Sequence, residues 1–152
     1  MLYCSGEEEL ELNILFFLTP KADCIYLDDD DTVRQAIERM EHNSYTSLAI
    51  LNRQGEYRGT LTEGDLLWAL KNVCGGDMKR AEQICIMDIG HRCDNAPVSI
   101  DTNIEDLFAK ATDQNFVPVI DDKNAFIGII PRKAIVQYCL ENYIAKKEPA
   151  AV

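Results

Sequence analysis

The chain repeats itself. Residues 46–70, TSLAILNRQGEYRGTLTEGDLLWAL, align without a gap on residues 115–139, NFVPVIDDKNAFIGIIPRKAIVQYC, so that Gly59 falls on Gly128 at an offset of about 69 residues. Upstream, with a small slip, LDDDDTVRQAIERM (27–40) pairs with VSIDTNIEDLFAKA (98–111). A duplication covering this much of 152 residues leaves room for two copies of one small unit and little else. Neither copy, at roughly 60 residues, buries enough surface to be secure alone, so the two are expected to pack on each other.

Within each copy the hydrophobic period changes along the chain. Val33, Ala36, Ile37 and Met40 in the first copy, and Ile104, Leu107, Phe108 and Ala111 in the second, recur at helical spacing and give each copy one apolar stripe. LAIL (48–51) and VPVI (117–120) are too short for helices and read as buried strands; NRQG (52–55) and DDKN (121–124) then turn the chain into a third strand ending near Leu61 or Ile130. A second helix carries Leu66, Leu67 and Leu70, or Ile135, Val136, Cys139 and Leu140. With CIYL (24–27) or PVSI (97–100) in front, each copy reads β-α-β-β-α, and the whole is an α+β protein. The first copy is expected over residues 13–73, a linker over 74–84 and the second copy over 85–144. Flexible ends are expected at 1–12, which is acidic, and at 145–152. LNILFFL (12–18) is expected to be a helix docked by its apolar side. Gly75 and Gly76 end the preceding helix, and residues 77–89 are expected to form a short connecting helix.

Charge narrows the function classes. A net charge of -11 and a pI near 4.5 leave no basic stripe for a nucleic-acid backbone. ILFFL (14–18) is far short of a membrane span, and GEEELEL before it is the opposite of a positively charged leader, so a cytoplasmic protein without membrane or nucleic-acid partners is expected. The six cysteines, at 4, 24, 74, 85, 93 and 139, contain no C-x-x-C pair, and reduced thiols are expected. Cys85, His91 and Cys93 lack the second pair of a zinc site, and Asp28 to Asp31 lack the alternating ligands and glycine of a calcium loop; the aspartates are expected to cap the helix beginning near Val33. His42 and His91 have no nucleophile arranged beside them and no phosphate loop is present, so an enzyme is not expected. Trp68, among leucines, reads as core or interface.

One stretch differs between the copies in its polar residues. RGTLTEGD (58–65) puts Thr62 just before an apolar run with Asp65 three residues on, which is an N-cap pattern, while IGIIPRKA (127–134) has Pro131 and Ala134 at the matching places.

With these motifs in place the chain resembles tandem cystathionine-β-synthase-type (CBS) domains, two of which make a Bateman module. The resemblance rests on TVRQAIERM…YTSLAILNRQGEYRGTLTEGDL and its weaker echo NIEDLFAKA…NFVPVIDDKNAFIGIIPRKAI, covering about residues 14–144. It implies two CBS repeats packed with pseudo-two-fold symmetry. The family's Gly-x-x-Ser/Thr-x-x-Asp pattern stands here as Gly59, Thr62 and Asp65. It implies an adenine nucleotide (AMP, ADP or ATP) or related adenosyl effector in the cleft between repeats, with no cofactor required. A helix N-terminus with a hydroxyl suits a phosphate, and a carboxylate suits ribose hydroxyls. The resemblance further places His91 and Ala96, Asn115 and Phe116, and Thr46 and Thr60 around that site. It implies a flat homodimer through the helices holding Leu67/Trp68 and Val136/Cys139, and a regulated effector protein whose identity the residues do not reveal. Pro131 and Ala134 depart from the pattern, so the second cleft is expected to be degenerate or to bind something different. The function implied is a stand-alone regulatory sensor; the alternative is a ligand-free interaction module with both clefts degenerate.

Overall fold

Two sheets, each covered by the apolar stripes of its own helices, carry the two copies. The computed structural model describes residues 12–92 and 94–147. The first copy contains β1 (Thr19–Pro20), β2 (Tyr26–Asp28), α1 (Val33–Asn43), β3 (Ser47–Leu51), β4 (Tyr57–Thr62) and α2 (Glu63–Asn72); α3 (Met78–Ala81) follows. The second contains β5 (Val98–Ser99), α4 (Ile104–Asp113), β6 (Phe116–Ile120), β7 (Phe126–Pro131) and α5 (Arg132–Lys147). Strand β2 runs parallel to β3, and β3 antiparallel to β4; β5, β6 and β7 repeat that pairing. The exception is β1, which leaves its own copy and joins β7, giving the orders β2-β3-β4 and β1-β7-β6-β5.

Local chemistry sets the element ends. Both hairpin turns need one left-handed residue at the same position, supplied by Gly55 (φ 78°) and Asn124 (φ 64°), two residue types that tolerate it. Helix α1 starts at Thr32, whose hydroxyl accepts from Gln35 N–H while the Gln35 side chain accepts from Thr32 N–H. The aspartate run therefore does not cap α1 as expected. Asp31 turns back to accept from Asp28 N–H at 2.9 Å and from Arg39 at 3.1 Å, shaping the turn before the cap.

Three other expectations change. LNILFFL forms only a 3-10 turn over Ile14–Phe17, but Ile14 and Phe17 are buried against the second copy as docking requires. Residues 77–89 do not make one helix: α3 ends early because Ile84 and Ile86 are drawn into backbone bonds with Val33 (2.8 Å) and Asp31 (3.0 Å). Helix α5 continues to Lys147, past residue 145, where a loose tail was expected to begin. The expected flexible ends otherwise lie at residues 1–11 and 148–152, outside the described residues. Among the described residues no helix is long and apolar enough to cross a membrane.

Each copy has its own core, one around Leu27, Val33, Ile50 and Leu61, the other around Leu107, Val117, Val119 and Ile130. A third cluster of Ala49, Leu51, Phe116 and Phe126 joins them, with the Tyr57 and Phe126 rings stacked at 6.5 Å. The hairpin turns meet through Phe126 N–H and Gly55 C=O at 2.9 Å. The contact faces are thus the same elements from both copies, and the clefts lie on either side of it.

Candidate functional site

At the end of β4 the chain passes into α2 through Thr62. The Thr62 hydroxyl accepts from Asp65 N–H (3.1 Å) and an Asp65 oxygen accepts from Thr62 N–H (2.9 Å), so each satisfies a helix-end donor of the other. Asp65 is only 2% exposed, and its second oxygen accepts from Arg92 N–H at 2.9 Å. Both carboxylate oxygens therefore have backbone donors.

The neighbouring residues close the same turn. Asp94 accepts from Thr60 N–H at 2.9 Å and lies against Gly59, where a Cβ would come within 2.7 Å of its carboxylate. Tyr57 donates its hydroxyl hydrogen to Asn95 C=O at 2.7 Å, leaving the Thr60 hydroxyl to donate to the Tyr57 oxygen, while Asn95 N–H points to Thr60 Oγ1 at 3.4 Å. Burial pushes the Tyr57 hydroxyl well above the usual phenol range, so it stays a donor. His91 donates from Nε2 to Ile86 C=O at 2.8 Å and brings Nδ1 to 3.3 Å from Asp94. The Arg92 guanidinium lies 5.0 Å over the Trp68 ring, so Trp68 serves as a platform for a residue of this chain.

The second cleft looks different because its residues differ. Matching residues for Tyr57, Thr60, Thr62 and Asp65 are Phe126, Ile129, Pro131 and Ala134, none of which can draw in a polar lead-in segment. Here a cavity of about 220 Å³ remains between the copies, bordered by Cys24, Ile25, Thr46, Asn115, Ile129 and Pro131 among others.

Of the residues grouped by sequence around Thr62 and Asp65, Thr60 and His91 are at that turn. Ala96 lies next to it, its backbone held on both sides by the Gln114 amide at 2.9 and 3.1 Å. Thr46, Asn115 and Phe116 instead border the cavity of the second cleft, although Thr46 C=O accepts from Glu63 N–H (2.9 Å) beside the first. Asn115 links the two sides, accepting from Asn95 at 3.2 Å and donating to the Ser47 hydroxyl. Sequence reasoning missed Tyr57, Arg92, Asp94 and Asn95 in the first cleft and Cys24 and Ile25 in the second. The contrast of Tyr57 with Phe126 in the gapless alignment was the one signal available.

Asp28, Asp30 and Asp31 are the described residues whose ligand atoms could gather round a cation, lying within 4.8 Å of one another, but Asp31 already has Arg39 and Asp28 N–H as partners. In the Cys85, His91, Cys93 group, Cys85 donates to Asp29 C=O (3.2 Å) and His91 Nε2 is taken by Ile86; Cys93 is outside the described residues.

Comparison with known proteins adds three kinds of likeness. The CBS domain family matches residues 17–72 and again 86–141. Inosine-5'-monophosphate dehydrogenase of Methanocaldococcus jannaschii is 26% identical over 115 residues, 76% of this chain and 21% of that protein, so the chain spans about a fifth of that relative's length. A CBS domain protein from Streptococcus pneumoniae TIGR4 superposes with a TM-score of 0.76 at 25% identity, covering 91% of this chain and 89% of that one. CbpB of Listeria monocytogenes, solved in complex with c-di-AMP, gives 0.72 at 17% identity, covering 86% and 96%. CBSX2, a CBS-pair protein of Arabidopsis thaliana, solved in complex with AMP, gives 0.69 at 22% identity, covering 86% and 98%. The last two are likenesses of fold.

Proposed function

This chain belongs to the CBS-domain family, and from that premise we propose that it is a regulatory module that binds an adenine nucleotide or related adenosyl compound at the Thr62/Asp65 turn, working by binding and not by catalysis. The observation that carries this reading is that the turn already holds an anion: Thr60 N–H, near the end of β4 and two residues before the Thr62 cap of α2, is bound by the Asp94 carboxylate. The AMP and c-di-AMP complexes of the fold neighbours support the ligand class.

A nucleotide would compete with the chain's own residues. Its phosphate would replace Asp94 at Thr60 N–H, and its ribose hydroxyls would replace Arg92 N–H at Asp65. Ligand thus has different affinities for the arrangements with Asp94 on and off the turn, which is what lets binding shift an equilibrium. Titration with AMP, ADP, ATP, S-adenosylmethionine and cyclic di-AMP should find at least one that stabilises the fold by about 2.7 kcal/mol at a hundredfold excess over its Kd. If none raises the melting temperature at millimolar concentration, the ligand reading fails and a pure interaction module is left.

Asp94→Ala removes the internal competitor without touching Thr62 or Asp65. Nucleotide affinity should rise roughly tenfold, the equivalent of one charge-assisted bond of about 1.4 kcal/mol no longer broken on binding. Unchanged or weaker binding in calorimetry would show that Asp94 does not hold the ligand's place.

The regulatory reading includes a homodimer, through which ligand would act on a partner protein. Leu67 on α2 and Val136, Leu140, Tyr143 and Ile144 on α5 are each half or more exposed, a concentration of apolar surface on two helices. Light scattering should give a dimer mass for the native chain and a monomer mass for Leu67→Glu with Val136→Glu; a native monomer at micromolar concentration would remove this part of the proposal.

A further inference from the structure

Arg92 is engaged at both its main chain and its side chain, and we propose that it couples the state of the Asp65 carboxylate to Trp68 on the outer face of α2, so that a ligand taking Asp65 uncovers the indole. The ligand in this statement rests on the preceding reading that ribose hydroxyls displace Arg92 N–H. The link between Asp65 and Trp68 rests on the geometry alone.

One residue spans the cleft and the surface. Arg92 N–H donates to Asp65 at 2.9 Å, and its guanidinium lies 5.0 Å from the centre of the Trp68 ring. Asp65 and Trp68 are three residues apart on α2, so they share a side of the helix and a single arginine reaches both. Their exposures are opposite, 2% for Asp65 and 37% for Trp68. The carboxylate thus answers to the cleft and the indole to whatever meets α2 from outside. Leu67 on the same helix belongs to the surface assigned above to self-association, so uncovering Trp68 changes what that helix presents to a partner.

The two holds on Arg92 differ in strength. A hydrogen bond to a carboxylate outweighs a cation over a ring at an exposed site, so the Asp65 bond sets where Arg92 sits and the Trp68 contact follows. Among the described residues from Ile89 to Asp94, Arg92 N–H is the one main-chain donor with an acceptor in the protein. The Asp94 carboxylate ties the same segment to Thr60 N–H, the point that a phosphate would take. A nucleotide therefore loosens both ties at once, while the His91 bond to Ile86 C=O lies outside either exchange. Lys71 also lies over the Trp68 ring, at 5.5 Å, but it belongs to α2 and moves with the indole. The second copy has no such link, because Ala134 and Gln137 stand in the places of Asp65 and Trp68.

Trp68 is the one tryptophan of the chain, so acrylamide quenching of its emission reports this position alone in the intact protein. Arg92→Ala keeps the N–H and removes the guanidinium; its quenching constant should rise about twofold over the native one, as for an indole with one face freed. Asp65→Ala should move quenching most of the way to that value without any ligand. Asp65→Asn, whose neutral amide is a poorer acceptor, should move it in the same direction and serves if the alanine variant does not fold. AMP, ADP, ATP, S-adenosylmethionine and cyclic di-AMP are then added in turn to the native chain and to Arg92→Ala. A compound that binds in calorimetry should bring the native chain to the Arg92→Ala value and leave Arg92→Ala unchanged. Lys71→Ala should raise quenching with and without that compound and keep the difference between the two. The series should give the same ratios in the background of Leu67→Glu with Val136→Glu; a response lost there would belong to self-association and overturn the link. Native quenching in both Asp65 variants also overturns it, as does an equal response of the native chain and Arg92→Ala, which would mean that the compound touches the indole itself. Binding in calorimetry with Trp68 still covered sinks this inference and leaves the proposed function standing. An effect of Asp65→Ala with no compound bound keeps the link and removes the nucleotide reading.

Discussion

Gly128→Ala should lower the stability of the protein by about 3 kcal/mol, the upper range for an overpacked core site, which is a fall of about 6–12 °C in melting temperature for a chain of this size. The reason is a close backbone approach: a Cβ at 128 would come within 2.2 Å of Thr19 C=O and 3.1 Å of Pro20 Cα. Those atoms belong to β1, which is paired with β7 at Thr19–Ile129 and Pro20–Gly128 and cannot move aside without breaking that pairing. Gly59, the matching residue, provides the control. Its added Cβ would meet the Asp94 carboxylate at 2.7 Å, a side chain that can swing away. Gly59→Ala shares the backbone strain of a positive φ (158° against 156° at Gly128) but displaces only a side chain, so it should cost about 1–2 kcal/mol, less than Gly128→Ala. Chemical denaturation of both variants measures the difference. Equal losses would mean that β1 is not held on β7 as described.

Asp65→Ala should lose on the order of 3 kcal/mol and all nucleotide binding at the first cleft. The variant leaves Thr62 N–H and Arg92 N–H without their acceptor, and hydrogen bonds to a charged group are worth roughly 1.5–3 kcal/mol each. Thr62→Ala removes the other half of the capping box and leaves the carboxylate, so it should cost only about 1 kcal/mol. Urea denaturation orders the two, and calorimetry with AMP at a temperature where both are folded separates binding from stability. Should Asp65→Ala bind AMP with native affinity, the assignment of the ligand to this turn is wrong. If instead Thr62→Ala is the less stable of the pair, the Arg92 contact adds nothing and Asp65 is an ordinary cap.

Sequence reading succeeded where the information is carried by nearby residues. The stripe Val33, Ala36, Met40 repeats at helical spacing and is buried along α1, and Ile50 and Val119 sit in the middle strands expected from short apolar runs. It did less well where a distant partner chooses the conformation. LNILFFL shortens to a 3-10 turn because its ends are set by docking on the second copy and by β1 crossing to β7. Residues 77–89 break because Ile84 and Ile86 bond to the turn before α1, more than fifty residues earlier. At the site, Thr62 and Asp65 were recognisable as a capping pair, whereas Arg92, Asp94 and Asn95 lie 27 to 38 positions from the residues they bond, Asp65, Thr60 and Tyr57, and follow no local period.

The amino-acid sequence alone therefore determined that there are two copies of β-α-β-β-α and that only the first keeps a hydroxyl and an acid at its turn, because periodicity, capping and duplication act over a few residues. Only the tertiary structure decided what each turn faces. Tyr57 and Thr60 give the first cleft hydrogen-bond partners for Asn95, and Asp94 closes over Gly59. Phe126 and Ile129 offer no such partners, so the second cleft stays open and apolar. The same chain path, repeated, ends as one polar cleft bound by its own residues and one largely apolar cavity, because side-chain hydrogen bonding across the interface between the copies determines how closely each lead-in segment can pack.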